Sequence, residues 1–414
     1  AISPAVSPAK TSSSSRSLGS VAMVLADAET GNIRAEVGSP NFLSEQRAGW
    51  IDMTRAVRSP GSTLKPFIYG LAFEEGQVRP ETLIMDAPAD FTGYRPRNFD
   101  MRYHGEISVR RALQLSLNVP ALHLLEAVGP QRLMVRLRQA GIKTSSPPAD
   151  QPGLAIGLGG IGITLRELTQ AYTALANGGR VSTLRDRPDG QTKPPANDTL
   201  LQPVAAWHVN DILSGTPRPA GANAQRIAYK TGTSYGYRDA WSVGYDGRYV
   251  LGVWVGRADN APVPGLTGLT AAVPILFEAF DKLKLKPTPL PAAPPGALRT
   301  AHTELPVTLR RFQATGRTGA AARIPEPPPQ IIYPPDGAEV ELAGTATGER
   351  LPLVIKLQGG QPPFRWLANG QLISERSHQR TAAWLSDGAG FSTITAIDAA
   401  GRAARVKVYV RRVH

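Results

Sequence analysis

Arg58-Ser-Pro-Gly-Ser-Thr-Leu-Lys-Pro-Phe-Ile-Tyr-Gly-Leu-Ala-Phe73 is the stretch on which the reading of this chain turns. Pro60-Gly61 marks a turn, and Ser62 is a residue type that opens helices by capping their free amides. Leu64, Phe67, Ile68 and Leu71 then recur at helical spacing, so the segment is expected to enter the core as a helix. Pro66 fits its first turn, where amides have no partners to lose. Ser62 and Lys65, three residues apart, would share one face with their Cβ atoms about 5–6 Å apart. Taken singly, Ser62 reads as a cap and Lys65 as a solvated helix residue.

Two further short patterns follow in order. Ser116-Leu-Asn118 interrupts a helical stretch from Ile107 to Val128, whose apolar stripe is Leu113, Leu117, Ala121 and Leu124; Pro120 is expected to end one helix and admit another. Lys230-Thr-Gly-Thr233 closes a short strand from Arg226. The runs Asp239–Tyr245 and Tyr249–Val255 make two more strands, giving an antiparallel meander. Ser20–Ala26 and Ile33–Val37 read as a hairpin, and Leu165–Asn177 as an amphipathic helix. Strands at both ends and helices between them predict an α+β layer fold.

Order and context give these patterns chemical meaning. A serine hydroxyl is a poor nucleophile until its proton is removed. Lysine removes it only when neutral, against an ordinary pKa of about 10.4. A helix N-terminus, a second ammonium from Lys230 and burial all disfavour the charged form of Lys65. Ser116 is placed to bridge Lys65 and Lys230 and to pass a proton to a leaving amine. Asn118 offers an amide to orient a substrate backbone. The strand Lys230-Thr231-Gly232-Thr233 suits edge-on pairing with an extended peptide, with Lys230, Thr231 and Thr233 on its carboxylate. The amides of Ser62 and Thr233 are candidates for an oxyanion hole. No metal and no cofactor is expected.

The remaining composition bounds the answer. The chain has 414 residues, 46 Lys and Arg against 33 Asp and Glu, a formal net charge of +13, and no cysteine. Two or three domains are implied. Disulfides, thiolate catalysis and cysteine-ligated metals are excluded. The charge favours an anionic partner, but no basic run interleaved with aromatics points to nucleic acid. Residues 1–17, rich in Ser, Pro and Ala, read as a flexible tail. Residues 18–285 form the main domain, and 286–329 a proline-rich linker. Residues 330–414 hold short strands at Leu353–Leu357, Phe364–Leu367, Thr393–Ile397 and Ala404–Val410, between turns such as Ala368-Asn-Gly370 and Asp398-Ala-Ala-Gly401. This spacing predicts a small β-sandwich of immunoglobulin or fibronectin-III type, with Trp366 and Trp384 as core aromatics.

With these motifs in hand, the chain resembles class A penicillin-binding proteins, most closely those of the 1C type. The matching stretches include Arg58-x-Pro-Gly-Ser-Thr-x-Lys-Pro-Phe-x-Tyr69, Tyr94-x-Pro-x-Asn98, Ser116-Leu-Asn-Val-Pro-Ala121 and Leu158-Gly-Gly160. They continue with Ala171-Tyr-Thr-Ala-Leu-Ala-Asn-Gly-Gly179, Lys230-Thr-Gly-Thr-Ser-Tyr-Gly236 and Asp239-Ala-Trp241. The end of the chain, from about Gln330 to Arg412, resembles the C-terminal module of the 1C type. The middle motif has Leu117 where serine β-lactamases of class A carry Asp.

The resemblance implies a transpeptidase fold shared with serine β-lactamases. It implies a D,D-transpeptidase that attacks the D-Ala-D-Ala bond of peptidoglycan stem peptides through Ser62 and is acylated by β-lactams. It also implies a periplasmic setting, with a membrane anchor and a glycosyltransferase domain in full-length relatives. Residues Ala1–Gly19 have no room for either, so this chain is expected to be soluble and without glycosyltransferase activity. A D,D-carboxypeptidase or β-lactamase is an alternative, with Glu167 the one acid weighed as a deacylating base. A scaffolding protein of the wall machinery, binding partners through its C-terminal module, is another. His123, Asp86, Tyr94 and Asn98 have no assigned role.

Overall fold

The computed structural model describes residues 19–91, 94–145, 153–187, 198–219, 227–263, 265–283, 286–313, 327–342, 352–386 and 388–412. The expected flexible tail, residues 1–17, lies outside them. The chain divides into two compact units, one of Ser17–Pro96 with His104–Gly319, the other of Arg97–Tyr103 with Ala320–His414.

The larger unit is built on a five-stranded antiparallel sheet. Its strands are β1 (Ser20–Asp27), β2 (Ile33–Val37), β5 (Ala228–Thr233), β6 (Asp239–Tyr245) and β7 (Tyr249–Gly256), in the order β2-β1-β7-β6-β5. A short pair, β3 (Leu83–Asp86) and β4 (Gly105–Ser108), stands apart from it. The helices are α1 (Lys65–Glu74), α2 (Val109–Gln114), α3 (Asn118–Val128), α4 (Pro130–Gln139), α5 (Leu165–Ala176), α6 (Pro203–Ser214) and α7 (Val273–Leu283).

Both faces of the sheet are covered. One face packs Val24, Trp241, Val243 and Trp254 against α1, α3, α5 and α6. The other packs Leu25, Tyr229 and Val253 against Leu276, Phe277 and Phe280 of α7. This explains why β6 and β7 are apolar at successive positions rather than alternating. α1 is buried along its length, Lys65 to Phe73, as a helix apolar on all sides must be. The proline-rich residues from 286 stay on this unit as far as 313. Thr288 donates its amide to Asp246 (3.0 Å), and Leu305 is buried.

Three local expectations are corrected. Ser62 does not cap α1; it lies in a 3-10 turn, Gly61–Leu64, that runs into the helix at Lys65. Ile107 and Ser108 belong to β4, and Ser108 caps α2 by accepting the Arg111 amide. The break between α2 and α3 falls at Leu115–Leu117. Pro120 sits inside the first turn of α3, where it costs no hydrogen bond.

The turn bearing Ser62 is clamped to β5 by glycines. Gly61 has φ +53°, and a Cβ on it would stand 2.4 Å from Thr233 O. A Cβ on Gly232 would stand 2.5 Å from Pro60 O and 2.6 Å from Thr63 Cγ2. Side-chain donors complete the clamp. Trp241 Nε1 donates to Ser59 O (2.8 Å), Tyr172 Oη to Thr63 O (2.6 Å) and Ser59 Oγ to Gly159 O (2.8 Å).

The smaller unit is a two-layer β domain. One sheet runs β13-β10-β8 and the other β12-β11-β14-β15-β9. These strands are β8 (Gln330–Tyr333), β9 (Glu339–Leu342), β10 (Leu353–Gln358), β11 (Phe364–Ala368), β12 (Gln371–Ser377), β13 (Thr381–Trp384), β14 (Gly390–Ile397) and β15 (Ala403–Arg412). Ile355, Leu357, Phe364, Trp366, Trp384, Ile394 and Val408 share one core between the layers. Asn369 and Gly370, both at positive φ, close the β11–β12 hairpin.

Replacing Gly232 with Ala forces turn and strand apart. We expect the midpoint of urea unfolding to fall by the equivalent of about 1–3 kcal/mol.

Candidate active site

The three motifs, which span some 170 positions of sequence, converge where α1, the α2–α3 corner and β5 meet. Lys65 is fully buried. Its Nζ donates to Ser116 O (2.6 Å) and to Asn118 Oδ1 (2.6 Å). Lys230, also buried, donates to Ser116 Oγ (2.7 Å) and to Thr231 O (2.8 Å). The expected bridge is therefore half formed: the Ser116 hydroxyl meets Lys230, whereas Lys65 binds the Ser116 carbonyl. The Lys65 amide donates to Ser62 O, but among the described residues no hydrogen bond joins the Ser62 hydroxyl to Lys65 Nζ.

Electrostatics set the state of the two amines. Burial, and then the Lys230 charge, push the pKa of Lys65 well below its ordinary value; Asp86, itself buried, opposes them. Burial lowers Lys230 to about 7. A neutral amine has two hydrogens and one lone pair. In the neutral form of Lys65, Ser116 O and Asn118 Oδ1 would take both hydrogens and leave the lone pair as its remaining function. Asn118 presents its carboxamide oxygen to Lys65, so its NH2 is the end that can donate elsewhere.

Ser116 holds an unusual backbone. Its φ is +59°, in the left-handed region. The Ser116 amide donates to Leu113 O (3.0 Å) and the Leu117 amide to Ala112 O (3.0 Å), the paired bonds of a helix C-terminus that usually ends on glycine. A hydroxyl is kept here against a backbone cost of about 1–2 kcal/mol.

β5 is the last strand of the sheet. Ser234 donates its amide to Asp239 O (2.9 Å). By alternation along the ladder, the main-chain groups of Thr233 and Thr231 point away from β6, toward the free edge beside the Ser62 turn. The Thr233 hydroxyl accepts the Gly268 amide (3.1 Å), so its own hydrogen is directed elsewhere.

Several positioning groups were not singled out from sequence: Ser59, Tyr172, Trp241 and Gly159. The signal for Trp241 was available, since an indole N–H in a buried strand needs an acceptor. Glu167 lies in the first turn of α5 and accepts the Lys143 amide (2.9 Å). His123 packs on Phe91 at 4.9 Å between ring centroids, and burial lowers its pKa. Among the described residues no cluster of His, Asp and Glu is placed to hold a metal, and no helix is long and apolar enough to cross a membrane.

Comparison with known proteins points to one family. Residues 21–265 match the family described as the penicillin binding protein transpeptidase domain. Residues 318–408 match the penicillin-binding protein C-terminus family. The chain is 42% identical over 279 residues to penicillin-binding protein 1C of Escherichia coli, covering 66% of this chain and 36% of that protein. It is 34% identical over 298 residues to penicillin-binding protein 1A of Neisseria lactamica, covering 65% of this chain and 36% of that one. The chain thus spans about a third of these relatives. Among solved structures, the penicillin-binding protein PonA1 of Mycobacterium tuberculosis aligns at TM-score 0.58 and 23% identity, over 69% of this chain and 83% of that one. The same protein in complex with penicillin V aligns at TM-score 0.56 and 24% identity, over 67% and 81%.

Two outcomes follow from the geometry. Ser116→Gly should be more stable than Ser116→Ala by about 1 kcal/mol, the reverse of the usual order, because only glycine relieves the positive φ. Lys230 keeps its proton in the unfolded chain to about 10.5 but releases it near 7 when folded. The unfolded state therefore binds more protons between these values, and stability rises with pH there. Urea midpoints at about pH 7 and 9 should show this rise, and Lys230→Met should make it shallower.

Proposed function

Because this chain belongs to the penicillin-binding protein transpeptidase family, we propose that it is a serine D,D-transpeptidase that joins peptidoglycan stem peptides through an acyl-enzyme on Ser62. The observation that carries the reading is the amine of Lys65, buried one turn after Ser62, with its pKa pushed down and its Nζ held by Ser116 O and Asn118 Oδ1.

The stem peptide would lie along the free edge of β5, its terminal carboxylate held by the hydroxyls of Thr231 and Thr233 and by Lys230, with Gly232 giving the strand its close fit to the turn. Asn118 would hold the peptide backbone. Ser62 Oγ attacks the carbonyl before the terminal D-Ala while Lys65 takes its proton. The amides of Ser62 and Thr233 stabilise the oxyanion. Ser116, held by Lys230, gives its proton to the departing D-Ala amine and takes the one that Lys65 accepted, so both return to their starting states. A neighbouring stem's amine then displaces Ser62 from the ester. A β-lactam enters the same first half-reaction.

Glu167 weighs against a β-lactamase. A deacylating base must polarise water beside the ester, and this carboxylate, which accepts the Lys143 amide at the start of α5, has no hydrogen bond to Ser62, Lys65 or Ser116 among the described residues. A periplasmic setting belongs to the same proposal, since the substrate is found there.

Mass spectrometry after incubation with a β-lactam panel is the test. One acyl adduct per chain on Ser62, absent in Ser62→Ala, is expected. No adduct and no drug hydrolysis would overturn the reading in favour of an idle, scaffolding site. Lys65→Gln should slow acylation about 10²–10⁴-fold, and the wild-type rate should fall as acid protonates Lys65.

A further inference from the structure

In the smaller unit, β14 and β15 are interior strands of the sheet β12-β11-β14-β15-β9. Each has a strand on either side, so a ligand approaching this sheet meets side chains rather than a free edge. Alternation sends Ile394, Ala396, Val406, Val408 and Val410 into the core. It turns Phe391, Thr393 and Thr395 of β14, with Arg405, Lys407, Tyr409 and Arg411 of β15, to the opposite face. The register sets Phe391 opposite Tyr409, Thr393 opposite Lys407 and Thr395 opposite Arg405.

This outer face is aromatic at one end and cationic beside it. Phe391 is 82% exposed and Tyr409 40%, their ring centroids 4.9 Å apart and their planes at 64°. Such a cross-strand pair steadies the two strands, yet it leaves most of the phenyl ring against water. Arg405 and Lys407 are both exposed and stand about 6–7 Å apart along one strand. Arg411 is engaged by Glu339 (3.3 Å), and Asp336 accepts the Lys407 amide (2.7 Å). Neither Arg405 nor Lys407 forms an ion pair among the described residues. Two like charges this close repel, so their pairing points to an anion outside the fold.

We propose that this face binds the wall polymer itself, an acidic glycopeptide. Phe391 and Tyr409 take the apolar face of a sugar ring, Thr393 and Thr395 meet its hydroxyls, and Arg405 and Lys407 hold the carboxylates of its stems. The inference rests on the proposed function for the identity of the polymer. Charge complementarity selects it: a polymer that carries carboxylates on a sugar backbone offers both halves of what the face displays. An anionic membrane fits less well, because basic clusters that read lipid headgroups hold about four to eight cations, and here the rings are set among threonines. A second hold on the same polymer raises the local concentration of stems available to Ser62.

The test uses the full chain carrying Ser62→Ala, so that no acyl-enzyme can retain it, and purified peptidoglycan sacculi. Co-sedimentation gives the dissociation constant. Arg405→Glu combined with Lys407→Glu should weaken binding about tenfold or more, and Phe391→Ala about fivefold. Amidating the carboxylates of the sacculi should erase the effect of the charge reversal and keep that of Phe391→Ala. Arg138→Glu combined with Arg218→Glu makes the same change of net charge at exposed positions of the larger unit and should matter little. Equal losses in the two charge-reversed pairs overturn the proposal, as does unchanged binding in both variants of the face. Equal affinity for vesicles of anionic phospholipid, or for a single-stranded oligonucleotide, overturns it too. β-Lactam acylation of chains that keep Ser62 is read separately and should be the same with and without the changes to the face. Its failure in wild type sinks the acyl-enzyme reading, whereas binding to sacculi that depends on the face still upholds this site.

Discussion

An amine kept away from water is the constraint around which the larger unit is arranged. Lys65 begins a helix with no exposed side, so its charge has nowhere to go. What it has instead is a carbonyl and a carboxamide oxygen, both from the α2–α3 corner. That corner must turn sharply enough to bring Ser116 O and Asn118 Oδ1 to one point, and the positive φ of Ser116 is the backbone that does so. Burial lowers the pKa of this amine, and a second buried lysine, fixed to the Ser116 hydroxyl, adds to that shift. The helix, the corner and the strand are each ordinary; their joint placement decides the protonation state.

Rigidity around this point comes from main chain meeting main chain. Gly61, Gly159 and Gly232 let the turn, the adjoining loop and β5 touch without side chains between them. Trp241 and Tyr172 then reach in with single hydrogen bonds to the carbonyls of Ser59 and Thr63. Such contacts tolerate little adjustment, which suits the proposed reading, in which the Ser62 turn and Thr233 of β5 must act together on one substrate.

Much of the fold was legible because the signals were periodic or compositional. The meander of β5, β6 and β7, the helix at Leu165, the strands of the smaller unit and its buried Trp366 and Trp384 follow from apolar spacing and turn residues. The motif residues were legible because order and spacing select them. Details that depend on three-dimensional closure were not. Nothing local says that Ser62 would sit in a 3-10 turn rather than cap a helix. Ser116 follows Leu115 with no glycine to mark the left-handed turn. Pro120 looks like a helix stop, yet a helix start accepts it equally well. The choice of the Ser116 carbonyl over its hydroxyl by Lys65 is a matter of a few ångströms that spacing cannot carry.

β5 has a consequence for solubility. It ends the sheet, and an unpaired strand edge is a template for any extended chain, another copy of the protein included. On the proposed reading this edge has to remain available, so it cannot be hidden under a helix or capped by a further strand. Self-association must be discouraged by chemistry instead. A turn pressed against its end shortens the free edge, a guard against unwanted pairing. The groups that would admit one particular peptide are thus also those that turn away the rest.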